Sequence, residues 1–255
     1  MWTRRETVVG GALTLLFGGL QNCSCALASA APHSVGCLLD DADFNSVYPE
    51  GTQTVRITGD DRIIYNSGDK NFDFALAQSL GKISEKFGVV PGFAYYDDSG
   101  RENAYATPRV RMNNADGTVL FGMNYFRRMR SLPEFPEVAI AGVCSHEYGH
   151  IVQFKYGLIE RVNLGQKTKK RSELQADYFA GYFAGLRKRE RPSYPAAVVA
   201  TAQRSFGDAA YNNEQHHGTP LERGAAVVRG FEASFRENKK FYEAIQESTQ
   251  YVLQL

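Results

Sequence analysis

Val138-Ala139-Ile140-Ala141-Gly142-Val143-Cys144-Ser145-His146-Glu147-Tyr148-Gly149-His150-Ile151-Val152-Gln153-Phe154 is apolar on nearly every side, with two histidines and a glutamate set into it. A helix that is apolar all round is a buried helix. Histidine and glutamate are costly there unless something pairs with them, and a metal ion removes that cost. His146 and His150 are four apart, so on a helix they share one face and both imidazoles reach one ion. Neutral imidazole is a good ligand for zinc. Glu147, one residue past the first histidine, falls off the ligand face but within reach of a water there, which suits a general base. Gly149 costs about 1 kcal/mol of helix propensity against alanine. The expected compensation is room for a closely packed strand or a substrate.

A catalytic zinc takes three protein ligands and keeps one position open. Downstream, Ser172-Glu173-Leu174-Gln175-Ala176-Asp177 places two carboxylates four apart, again on one helical face. Glu173 can complete a His, His, Glu ligand set. Asp177 can accept the second ring N–H of a ligating histidine, which fixes its tautomer and raises its basicity. Small residues at Ala176, Ala180, Gly181, Ala184 and Gly185 would let this helix approach the first one closely. An alternative for the same residues is an ordinary helix start, with Ser172 as cap and acidic groups in the first turn.

An H-E-x-x-H helix followed by E-x-x-A-D on a second helix resembles the gluzincins. The longer runs His146 to Gln153 and Arg171 to Gly181, with His217-Gly218-Thr219-Pro220-Leu221-Glu222-Arg223 leading to Arg229-Gly230-Phe231, resemble the bacterial neutral zinc metallopeptidases. The likeness runs over about residues 138 to 236. It implies His146, His150 and Glu173 as zinc ligands, Glu147 as base and Asp177 behind a ligand. Asn103-Ala104-Tyr105-Ala106-Thr107-Pro108 resembles the Asn-Ala-Phe-Ala edge strand with which gluzincin peptidases pair an extended substrate. It departs from that pattern at Thr107-Pro108 and in the long turn that follows, and a plain hairpin is the alternative. Gluzincins also use a tyrosine or histidine outside the zinc motif to stabilise an oxyanion. His217 is the candidate, with Tyr178 the weaker one; a loop histidine capping the helix from Thr219 is the structural alternative.

The rest of the chain sets these motifs in an α+β frame. Phe72, Leu76, Leu80, Ile83 and Phe87 trace one helical face, and Gly88 supplies a stop. Three β-like stretches follow: Val89 to Tyr96, Asn103 to Met112 and Gly117 to Asn124. Shorter β-like pieces precede them at Thr54–Ile57 and Arg62–Tyr65. After about Pro133 the pattern is helical, over Pro136–Tyr156, Ser172–Arg189, Tyr194–Phe206, Thr219–Arg236 and Asn238–Leu253. Helix, small sheet and helical half predict one zincin-like α+β domain over residues 31–255, with a small antiparallel or mixed sheet.

Residues 1–30 carry Thr3-Arg4-Arg5, an apolar run from Val8 to Leu20 and small-x-small cleavage patterns ending at Ala30. This predicts a cleavable twin-arginine-like export signal, hence a periplasmic or secreted protein, or a membrane-anchored one if the signal is kept. Removing Arg4, Arg5 and Glu6 leaves basic and acidic residues equal. The whole chain is already near neutral, with 29 basic and 28 acidic residues in 255, so binding nucleic acid by bulk charge is not expected. After cleavage Cys37 and Cys144 remain, either as a disulfide or with Cys144 as a small buried hydrophobe.

The expected function is an exported zinc metallopeptidase acting on a peptide or protein, with no stable membrane embedding after cleavage. The rivals are a non-catalytic envelope chaperone or binding protein on the same scaffold, and an amidase on cell-wall peptides. An intact Glu147 favours an enzyme, since a binding protein has no chemical need of it.

Overall fold

The computed structural model describes residues 61–98, 102–112 and 116–255. The predicted export signal, Cys37 and the predicted Thr54–Ile57 piece lie outside the described residues. The first helix, α1 (Lys70–Phe87), buries Leu76, Leu80, Ile83 and Phe87, and Phe72 packs partly buried beside them, as the spacing predicts. Asp69 caps it by accepting from the Asn71 and Phe72 N–H groups. Gly88 ends it at φ 65°, a left-handed conformation that glycine adopts at no steric cost.

Among the described residues four strands form one mixed sheet: β1 (Ile63–Ile64), β2 (Gly92–Tyr96), β3 (Ala104–Thr107) and β4 (Thr118–Gly122), in the order β1-β2-β4-β3. β3 and β4 pair antiparallel with Thr107 opposite Thr118. β2 runs parallel to β4 with Gly92 also opposite Thr118, and β1 is antiparallel to β2. The predicted Asn103–Met112 stretch shrinks to four strand residues because Pro108 has no N–H to give a ladder. β3 is nonetheless an outer strand of the sheet among the described residues, as is β1 at the opposite edge.

The predicted third strand also ends early. Met123–Arg130 is a short helix, α2, where the sequence pattern ran the strand on to Asn124. Its start is held by Asp98, whose carboxylate accepts from the Asn124 and Tyr125 N–H groups, each at 2.9 Å. A cap from 26 residues upstream leaves no trace in local periodicity.

The helical half follows as α3 (Pro136–Lys155), α4 (Leu158–Asn163), α5 (Lys170–Glu190), α6 (Ala197–Arg204), α7 (Pro220–Phe235) and α8 (Phe241–Leu253). α4 was not anticipated. α5 begins two residues before the predicted start, so Ser172 is not its cap; the Ser172 hydroxyl donates to the Lys169 carbonyl at 2.7 Å. α3 is buried on every side from Val138 to Gln153, its apolar sequence being its address. The main core joins α1, α3 and α5 to one face of the sheet, through residues such as Phe87, Phe121, Ile140, Tyr148, Ile151 and Phe179. Cys144 lies in that core as a free, fully buried thiol, which is the small-hydrophobe alternative of the two.

Glycines set the helix spacings. A Cβ on Gly149 would meet Ala176 Cα at 3.1 Å and Phe179 Cδ2 at 3.2 Å, so the room it makes is filled by α5 and not by a strand or substrate. Ala176 faces α3 as expected. Gly181 and Gly185 serve another neighbour: a Cβ on Gly181 would overlap the Val227 carbonyl oxygen, and one on Gly185 would crowd Ser234 and the Phe231 carbonyl of α7. Gly230 reciprocates from α7, where a Cβ would overlap the Tyr178 carbonyl oxygen. The small-residue stripe thus seats α7 on α5, while α3 lies against α5 at Ala176.

Candidate metal centre

His146, Glu147 and His150 project from the middle of α3, and Glu173 and Asp177 from the first turns of α5. All five are buried, at 0–1% exposure. His150 Nε2 lies 3.2 Å from His146 Nε2. Glu173 closes the triangle, with Oε2 3.4 Å from His146 Nε2 and Oε1 3.5 Å from His150 Nε2. Donors held by one tetrahedral zinc at about 2.0–2.2 Å stand roughly 3.3–3.5 Å apart. The three side chains therefore converge at the spacing one ion requires, and among the described residues they are the group of histidine, cysteine and acidic side chains able to hold a metal ion.

Protonation suits the same role. Burial pushes the His150 imidazole down to about 4, against a smaller opposing pull from Glu173, so it is neutral at neutral pH. Burial alone would raise the Glu173 carboxyl, but His217, His150 and His146 outweigh it and hold that group well below its ordinary range. Asp177 is likewise held down by Arg223 and His146 against its own burial.

Behind each histidine stands a second partner. His146 Nδ1 lies 2.9 Å from Asp177 Oδ1. Asp177 is gripped in turn by Arg223 of α7, whose Nε and Nη2 donate to its two oxygens at 2.8 and 2.9 Å. Arg223 is fully buried, 3.9 Å from Glu173 Oε2, and Nη2 also donates to Gln203 Oε1 at 3.3 Å. Gln203 Nε2 reaches the Gly142 carbonyl of α3 at 3.3 Å, closing the loop back to the motif helix. Behind His150, Nδ1 meets Gln153 Oε1 at 2.8 Å. Arg223 and Gln153 sit inside the motifs quoted above, yet sequence reading gave neither a role. Gln153 had a local signal, three residues past a ligand on the same face. Arg223 had none, being 46 residues from its carboxylate.

The paired histidines part company. His217 Nδ1 lies 3.2 Å from Glu173 Oε2, which brings it to the site but onto the Glu173 carboxylate, outside the three residues that could hold a metal ion. Its Nε2 is buried with no hydrogen-bond partner among the described residues. His216 turns the other way, Nδ1 meeting Asp208 Oδ1 at 2.5 Å, while Asp208 Oδ2 accepts the His217 backbone N–H at 3.0 Å. Asp208, also unassigned by the sequence, thereby pins the histidine pair. Neither histidine caps α7. Thr219 does, accepting from the Glu222 N–H in a reciprocal capping box with Pro220 at the first position. Tyr178 packs its ring against Tyr251 of α8 with its hydroxyl beside Glu247, so it faces the C-terminal helix and not the three-ligand group.

Residues 108–221 match the sequence model of the family described as "Putative neutral zinc metallopeptidase". The match takes in the H-E-x-x-H helix, the E-x-x-A-D helix and both histidines of the 216–217 pair, and it is the family the motifs resemble. No curated protein and no solved structure matches the chain.

Proposed function

We propose that the protein is a zinc metallopeptidase with His146, His150 and Glu173 as ligands, Glu147 as general base and a peptide or protein as substrate. The observation that carries this is the buried triangle of donors 3.2–3.5 Å apart. Charge supports it. Three buried carboxylates, Glu147, Glu173 and Asp177, are accompanied by one buried guanidinium, Arg223, and a divalent cation balances that sum.

Zinc in such a site supplies Lewis acidity toward a carbonyl and an acidified water. The protein's own groups do the rest. Glu147 takes the water's proton and passes it to the leaving amine. Asp177 holds His146 with its Nδ1 protonated, which leaves the Nε2 lone pair for the ion. His217 has Nδ1 3.2 Å from Glu173 Oε2 and is the candidate donor, through Nε2, to the developing oxyanion. β3, as an outer strand, offers its edge to an extended substrate. Export under the residue 1–30 signal places the enzyme in the periplasm or outside the cell. No helix among the described residues is long and apolar enough to cross a membrane.

The test is a broad peptide-library cleavage assay on the zinc-loaded protein, with and without chelator, beside Glu147→Gln. Chelator-sensitive cleavage, absent in a Glu147→Gln variant that keeps its zinc, is the expected result. Cleavage retained in that variant removes Glu147 as base. A wild-type protein that binds zinc and cleaves nothing supports the envelope binding-protein rival; cleavage confined to cell-wall peptides supports the amidase.

A further inference from the structure

The hydrogen bonds behind His150 run in one direction, and they begin in the C-terminal helix. Ser248 Oγ and Thr249 Oγ1 each donate their only proton to the Ile245 carbonyl, at 3.0 and 2.9 Å. Toward Gln175 they can therefore only accept. The Gln175 amide presents its NH2 to them, at 3.2 and 3.0 Å, and so turns its oxygen to Gln153. Gln153 Nε2 donates to that oxygen at 3.0 Å and to the Ser172 backbone carbonyl at 2.8 Å. A backbone carbonyl only accepts, so the orientation of the Gln153 amide is fixed twice over. What remains to face His150 Nδ1, at 2.8 Å, is the Gln153 oxygen. An amide oxygen also only accepts. His150 is thus the Nδ1–H tautomer, with a bare Nε2 lone pair turned toward His146 and Glu173. Every member of the relay is buried, Thr249 being the most exposed at 2%. Buried amides left half-paired are costly, so the chain holds or fails as a unit.

We propose that Gln153 is the positioning residue that presets His150 as a ligand, and that through Gln175, Ser248 and Thr249 helix α8 is part of the metal site. The inference rests on the zinc reading above for the ion, and not on peptide cleavage. It gives α8, which supplies no ligand, a share in metal affinity. By linkage, bound zinc then stabilises α8 to the same extent.

The experiment measures zinc affinity of the full chain by competition with a chelator of known affinity, with the melting temperature of the metal-free protein alongside. Gln153→Leu is expected to weaken zinc about 10–100-fold. Gln153→Glu keeps an acceptor for His150 Nδ1–H but loses the donor to Gln175 Oε1 and the Ser172 carbonyl, and is expected to weaken zinc less than Gln153→Leu does. Ser248→Ala with Thr249→Val should weaken zinc about fivefold, the worth of one ordinary hydrogen bond. Zinc should slow amide exchange in α8 of the wild type and not in that double variant. Wild-type affinity in Gln153→Leu, or equal losses in Gln153→Leu and Gln153→Glu, overturns the role of Gln153. Unchanged affinity and exchange in the double variant overturns the share of α8, and that arm reads out even if Gln153→Leu fails to fold. A wild type that binds zinc without cleaving peptides sinks the peptidase reading alone; a wild type that binds no zinc sinks both.

Discussion

Arg223 holds both oxygens of Asp177 in a fork, at 2.8 and 2.9 Å, with neither side chain open to solvent. A guanidinium matches a carboxylate in this geometry, where an ammonium makes one contact. The pair ties α7 to α5 at the point where Asp177 Oδ1 lies 2.9 Å from His146 Nδ1. Removing one partner of a buried ion pair leaves the other charge without compensation. Arg223→Met is therefore expected to destabilise the metal-free protein by about 3–5 kcal/mol in urea unfolding. Arg223→Lys should recover only part of that. A loss under about 1 kcal/mol for Arg223→Met would show that Asp177 is solvated or protonated without it.

The α5–α7 contact makes a sharper steric prediction. A Cβ on Gly230 would overlap the Tyr178 carbonyl oxygen, a backbone atom that cannot rotate away. Gly230→Ala is expected to cost about 1–3 kcal/mol, the usual range for overpacking, although alanine is the better helix former. Gly81, inside α1, has nothing within 4 Å of its would-be Cβ. Gly81→Ala should instead stabilise by up to about 1 kcal/mol. Thermal melts of the two variants side by side decide it: the same sign for both would contradict the packing described here.

How far the sequence carries can be judged from the same residues. His146, His150, Glu173 and Asp177 were legible because both halves of the site are local patterns, four apart on single helices, in a stretch too apolar to hold them otherwise. Helix α1 was legible from its periodicity and its terminal glycine. The signals fail where the deciding contact is distant. Asp98 starts α2 from 26 residues away, and Arg223 reaches its carboxylate across 46. The small residues of α5 were read as the face that approaches α3, but Gly181 and Gly185 close on α7 instead, a choice that composition alone does not make. The parallel β2–β4 pairing was equally out of reach, since β4 inserts between strands that are nearer in sequence.

Acid should unfold the metal-free protein in a window set by His150. Its folded-state value is pushed down from 6.5 to about 4, mainly by burial. Between those values the unfolded chain binds a proton that the folded one refuses. Stability is then full above about 6.5 and is lost as pH falls toward 4. Glu173 and Asp177, both held low, add losses below the ordinary carboxylate range. The expected measurement is a melting temperature that falls steadily from pH 7 to pH 4 in chelator-treated protein. His150→Gln should flatten the upper part of that slope. A slope unchanged by the substitution would remove His150 as the cause.

His217 separates two uses of one side chain. Through Nδ1 it approaches Glu173, and through Nε2 it has no hydrogen-bond partner among the described residues, although it is buried. If its work were to hold Glu173, its loss would appear as lost metal. If it donates to an oxyanion, its loss appears in turnover with the metal kept. Glu173 has other neighbours that favour its ionised form, namely His146, His150 and, at 3.9 Å, Arg223. His217→Ala is therefore expected to keep zinc within about tenfold of wild type. On any peptide found to be cleaved, kcat should fall about 10²–10³-fold with little change in KM. Asp208→Asn, which weakens the grip on the His216 ring while still accepting the His217 N–H through its amide oxygen, should show the same kcat-weighted pattern at smaller size. A His217→Ala variant with full turnover would leave the oxyanion without this donor, and one that loses its zinc would make His217 a support for Glu173.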